Sequence, residues 1–152
     1  MSDLAHILRA HHEEIERRWL AAASELVGDE YREMLQSPLG VRLLRKILDD
    51  LVAYEEAEEY QATAVLRRIE EEAAAEARHR VALGFALSDI LIALQAIRAT
   101  MWDALIDALA AGQLPPLGET MAQMKEVDQL LDCIVRAEVA GSLAAGHASP
   151  DA

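Results

Sequence analysis

From Asp89 to Ala111 the chain places Ile90, Leu91, Leu94, Ile97, Met101, Trp102, Leu105 and Leu109 so that apolar side chains cover well over half of a helical circumference. A helix wet on one side carries an apolar stripe about 100° wide, so one this apolar has to be touched from several sides. It is expected to be the central rod of a helical core, which the rest of the chain wraps.

The wrapping is legible at helical spacing. Leu4, Ile7, Leu8, Ile15, Trp19 and Leu26 fall on one side of a helix running from Leu4 to Val27, with Glu13, Glu14, Glu16, Arg17 and Arg18 opposite. Ser2 or Asp3 is its expected cap, and Gly28 suits the left-handed position past its end. A short helical turn follows over Asp29 to Gln36. Ser37 with Pro38 reads as a cap plus first-turn proline, opening a helix with Leu44, Ile47, Leu48, Leu51 and Val52 on its core side. That helix fades into Glu55, Glu56, Glu58 and Glu59, whose mutual repulsion fits a solvated connection or an acidic first turn.

From Tyr60 the pattern resumes through Val65, Leu66, Ile69, Ala73 and Ala77 to a break at Gly84 and Phe85. Ser88 reads as the cap of the central helix, with Asp89 in its first turn and Leu87 and Ile92 as a hydrophobic staple. Gly112 closes that helix, and Pro115 and Pro116 prevent its continuation. A last helix over Glu119 to Ala145 has Val127, Leu130, Leu131, Ile134, Val135 and Val139 as its core side. The expectation is an all-α single domain of about six helices over residues 1–146, with a disordered tail at 147–152. Unequal helix lengths argue against a regular up-and-down bundle and allow globin-like crossed packing.

Composition agrees. Hydrophobic residues make up 53% of the 152, but only 4% are aromatic, so runs that build strands are scarce. The net charge of −13 repels phosphate backbones and anionic lipid surfaces, which argues against nucleic acid and membrane as partners. Cys133 is the single cysteine, so no internal disulfide forms. Met1-Ser2-Asp3 lacks the basic and apolar regions of a signal peptide, and no stretch of about 18 uncharged apolar residues exists. The expected location is the cytoplasm.

The candidate chemistry is sparse. His6, His11 and His12 sit beside Glu13 and Glu14, but five and six residues separate His6 from the other two, so they share no tight face for a metal. Ala5-His6-Ile7-Leu8-Arg9 has a faint likeness to a phospho-accepting histidine motif, without an upstream helix to shield it. Trp19 and Trp102 read as core anchors. No Gly-x-Ser-x-Gly, phosphate-binding glycine loop or Cys-x-x-Cys is present, and no enzyme is expected. His79, ahead of the Gly84–Phe85 turn, stands where a globin holds its proximal haem ligand. A haem-binding sensor using His79 is therefore the alternative, against which stand the flanking Arg78 and Arg80 and the few aromatics.

The stretch Arg80-x-x-x-Gly84-Phe85-x-Leu87-Ser88-x-Ile90-Leu91, followed by Leu94 and Ile97-Arg98, resembles the central signature of the RsbRD N-terminal domain family. So does the opening pattern of Ile7-Leu8 followed by Ile15-x-Arg17-Arg18-Trp19-Leu20. The resemblance covers about residues 4 to 140 and implies a globin-like sensor domain without haem. It further implies a homodimer that takes part in bacterial stress signalling, with a kinase, phosphatase or stressosome component as partner. The carried-over positions (Trp19, Arg80, Gly84, Phe85, Ser88, Arg98, Trp102) are structural, and none is catalytic. Many relatives carry a histidine a few residues before the matched arginine, where this chain has Glu76. No output domain follows within residues 141–152, so the resemblance implies a stand-alone sensor or an adaptor that acts by contact. From the residues alone, Gly84 permits a tight turn, Phe85 plugs the gap between helices, and Arg80 and Arg98 reach helix ends or acidic faces.

Overall fold

The structure, a computed structural model, describes residues 3–113 and 117–147, and the side chains of 7–113 and 117–144. These residues form seven helices and no strand: α1 (Asp3–Ala10), α2 (His12–Leu26), α3 (Asp29–Gln36), α4 (Pro38–Glu56), α5 (Glu59–Ala82), α6 (Leu87–Ala110) and α7 (Leu117–His147). The chain is all-α, and no described helix is long and apolar enough to cross a membrane.

The expected first helix is two helices joined at His11. Backbone bonds still bridge the joint, from the His11 amide to the Ile7 carbonyl and from the Ile15 amide to the His11 carbonyl, both 3.0 Å. The cause lies one residue on: His12 Nδ1 lies 2.9 Å from the Arg9 carbonyl oxygen, so the ring competes for that acceptor and bends the ladder. Past Leu26, Gly28 is extended (φ −67°, ψ 163°), not left-handed as expected. Its role is close approach. The Gly28 amide donates to Asp89 Oδ1 at 3.2 Å, and a Cβ there would meet Asp89 Oδ2 at 3.3 Å.

The other joints follow local chemistry. Ser37 Oγ accepts from the Leu39 amide at 3.2 Å, with Pro38 in the first turn of α4. At the end of α5, the Phe85 amide bonds the Arg80 carbonyl and the Gly84 amide the Val81 carbonyl, with Gly84 at φ +96°. That is a Schellman closure, and it repeats at Gly112 (φ +69°), where Gln113 bonds Ala108 and Gly112 bonds Leu109. Because the first closure leaves Ala86 extended, α6 starts at Leu87 with Ala86 as its cap. Ser88 is an exposed first-turn residue, which corrects its expected capping role. Pro115, Pro116 and residues 148–152 lie outside the described residues, and α7 runs to His147, past its expected end.

The core gathers around α6 as expected for most of its length, with Ile90, Leu94, Ile97, Met101 and Leu105 buried. Its last turns emerge at Ile106 and Leu109, both exposed. Trp19 on α2 is fully buried, and its indole Nε1 donates to the Ala93 carbonyl of α6 at 2.8 Å. Trp19→Phe keeps most of the packing and removes this bond. Its expected cost is about 1–2 kcal/mol in urea unfolding; an unchanged midpoint would show that the bond contributes nothing. Trp102 is half-buried against the core. The most extensive helix pairing joins α5 to α7, where Gly141 lies against the Ala74 backbone.

Candidate functional site

The end of α5 and the turn after it meet three other helices, α3, α4 and α7, around buried polar groups. On α5 the core stripe Ile69, Ala73, Ala77 continues into Arg80, which is only 7% exposed and whose Nη2 donates to Glu76 Oε2 at 2.8 Å. Phe85 follows the turn, and its ring meets Tyr31 of α3 edge-on at 5.3 Å between centroids. From α7 comes Glu138, 2% exposed. Lys46 and Asp50 of α4 stand alongside. Lys46 Nζ donates to Asp50 Oδ2 at 3.0 Å and also to Glu72, while Arg68 lies 3.6 Å from Asp50.

The electrostatics follow from burial. Desolvation pushes the Glu138 carboxyl up to about 7; the Arg80 charge works against this and Glu76 adds to it. Glu138 Oε2 has no hydrogen-bond partner among the described residues, nor does the Tyr31 hydroxyl. Burial likewise raises the Tyr31 phenol to about 12, opposed by Arg80. Desolvation raises Asp50 despite its lysine partner. At Lys46 burial pulls downward, but the hydrogen bonds to Glu72 and Asp50 outweigh it and raise that ammonium. The result is a carboxyl that changes charge near neutrality inside a helix seam.

Two spaces adjoin the seam. A cavity of about 20 Å³ between α4, α5 and α7, lined in part by Asp50, Glu76 and Glu138, has room for about one water molecule. A groove of about 560 Å³ opens between α3, α4 and α5, with Phe85 in its wall.

Of the residues singled out by sequence, Arg80, Gly84 and Phe85 meet at this corner. Trp19 lies in the α2–α6 core, and Trp102 stands farther along α6. Arg98 reaches α7, 2.5 Å from Asp132 and 3.8 Å from Asp128, an acidic face as expected. His79 is exposed at the rim of the groove, beside the inward-turned Arg80. His11 is half-buried and His12 exposed; the His6 side chain lies outside the described ones, and among the described residues no three His, Cys, Asp or Glu gather as a metal set. The acidic runs are partly structural: Glu56 pairs with Arg9 at 3.1 Å, and Glu72 joins the Lys46 cluster.

The sequence expectations do not include Tyr31, Lys46, Asp50 or Glu138. A signal for Glu138 existed: it stands four residues after Ile134 and seven after Leu131, on the core stripe of α7. Comparison with family models, curated proteins and solved structures gives no match for this chain.

Proposed function

We propose that the chain is a non-haem, globin-like sensory and interaction domain of bacterial stress signalling that works by dimerising and by contacting another signalling protein. The observation that carries this reading is the α5–α6 corner. Of the signature residues, Arg80 acts electrostatically on a buried, ionisable carboxyl, Glu138 of α7, while the Gly84–Phe85 turn that follows it closes α5 and sets Phe85 against Tyr31. A seam of that kind has two charge states with different packing preferences, which is what a sensor needs and what a rigid scaffold avoids. Among the described residues there, Lys46 is held as an ammonium by Asp50 and Glu72, so the groups present serve binding and switching better than bond chemistry.

The dimer surface is the end where α6 and α7 connect. Ile106 and Leu109 close α6, Leu117 and Met121 open α7, and all four are exposed. Large apolar side chains left exposed call for a cover, and a second copy supplies a self-complementary one. The net charge of −13 repels that copy, so association strengthens as salt rises. Light scattering on the eluting protein at micromolar concentration is expected to give twice the chain mass, and Leu117→Glu with Met121→Glu to give a monomer. A wild-type chain that stays monomeric at every salt concentration would end the reading. The haem alternative draws less support: His79 is exposed, and among the described residues Phe85 is the one ring of Phe, Trp or Tyr lining the groove beside it. A Soret band that appears on adding haem and is lost in His79→Ala would reinstate it.

A further inference from the structure

The groove between α3, α4 and α5 has a chemistry at odds with the rest of the surface. Its walls are apolar: Met34, Leu39, Leu43, Leu83 and Phe85. Two of these, Leu39 and Leu83, are 57% and 63% exposed, unusual for large apolar side chains with no cover. The chain has 27 acidic residues against 14 basic, yet among the described residues Glu76 is the single carboxylate lining the groove, beside Arg42, Lys46, His79 and Arg80.

Internal pairing divides these groups. Lys46 is held by Asp50 and Glu72, and Arg80 by Glu76. Arg42 and His79 have neither ion pair nor side-chain hydrogen bond among the described residues. Arg42 is exposed, so its uncommitted guanidinium stands at the mouth of an apolar trough. The volume of about 560 Å³ falls within the range of small-molecule sites. A nucleotide does not suit it, because the walls offer few donors for several phosphates. A cation or a neutral apolar body would leave the guanidinium unmatched.

We infer that this groove binds a small amphiphile with an apolar body and a single anionic head, of the aliphatic or aryl carboxylate class, with Arg42 and His79 holding the head and Leu39, Leu83 and Phe85 the body. The inference rests on the sensory reading only for the ligand's role as an input; binding itself is measured apart from association state. The head is held by charge and hydrogen bonds at the rim, where Arg offers a planar fork to a carboxylate. The body removes Leu39 and Leu83 from water.

The test is isothermal titration calorimetry on the full chain with three probes of equal tail length below micelle formation: decanoate, decanol and decyltrimethylammonium. Decanoate is expected to bind one molecule per chain, with decanol weaker and the cation without measurable binding. Arg42→Glu is expected to weaken decanoate by about tenfold or more, and Leu83→Asp to do likewise. Both positions are exposed, and unchanged thermal unfolding would confirm that each variant folds. Equal binding of the three probes, several molecules per chain, no binding of decanoate, or an unaffected Arg42→Glu would each overturn the inference. Binding of decanoate by a chain that light scattering shows to be monomeric would uphold the site and remove the dimer reading alone.

Discussion

Replacing Glu138 with glutamine is expected to stabilise the protein by about 3 kcal/mol near pH 8 and by less than about 1 kcal/mol near pH 5. The carboxyl titrates at about 7 in the folded chain against an ordinary 4.5. Between those values the folded state keeps a proton that the unfolded state has lost, so wild-type stability from this group falls as pH rises through the interval. Above about 7 both states are charged and the penalty is constant. Glutamine keeps the shape and cannot ionise, so the gain is the penalty removed. The surroundings set the size: Arg80 and Glu76 from α5, Lys46 and Asp50 from α4, and Tyr31 from α3 face the same seam. Asp50, also raised by burial, adds a slope of the same sign to both proteins and cancels in the comparison. Urea unfolding across the pH range checks this. A difference between the two proteins that does not vary with pH would show that Glu138 does not hold its proton.

What was legible in the sequence was whatever depends on neighbours along the chain. Gly84 and Gly112 announce left-handed closures because few other residues take positive φ cheaply, and both closures are present. Ser37 with Pro38 opens α4 for a similarly local reason. Ser88 misleads because cap preference is weaker than the closure before it, which has already spent Phe85 and Ala86 on the turn. Gly28 misleads because its absent side chain serves a residue 61 positions away, Asp89. The break at His11 depends on which acceptor a ring nitrogen finds. Burial of Glu138 shows in the periodicity of α7, but its partners come from three other helices, and no spacing rule names them. The inward turn of Arg80 also lies in the spacing, three residues after Ala77 on the stripe Ile69, Ala73, Ala77, but its charge and the arginines flanking His79 read as an exposed stretch and mask it.

The seam and the groove are adjacent because of that same packing. Lys46 and Glu76 line both spaces. A ligand head drawn to the rim would act on Arg80 and Glu76, and through them on the charge preference of Glu138. Coupling of this kind is reciprocal: whatever the head does to the proton, the proton does to the head.

How tightly α7 lies on α5 decides how much water can reach that seam, and Gly141 is the residue that permits the close approach. A Cβ at Gly141 would fall 2.2 Å from the Ala74 carbonyl oxygen and 2.8 Å from its carbonyl carbon. Those atoms are backbone inside a helix, so they cannot swing aside as the tip of a side chain would. Alanine is the better helix former by about 1 kcal/mol, and at an open position the substitution would stabilise. At Gly141 overpacking is expected to win, with Gly141→Ala losing about 3 kcal/mol. Gly118 in the first turn of α7 is the control, since among the described residues nothing lies within 4 Å of where a Cβ would stand, and Gly118→Ala is expected to be neutral or slightly stabilising. Urea midpoints of the two variants should move in opposite directions or differ by most of that amount. Glu138 and Ser142 flank Gly141 on the same buried side. Helices pushed apart there admit water to the carboxyl, so Gly141→Ala should also flatten the fall in stability between about pH 5 and 7 that Glu138 produces. A variant as stable as wild type, with the pH slope intact, would mean that α5 and α7 are not held at backbone contact.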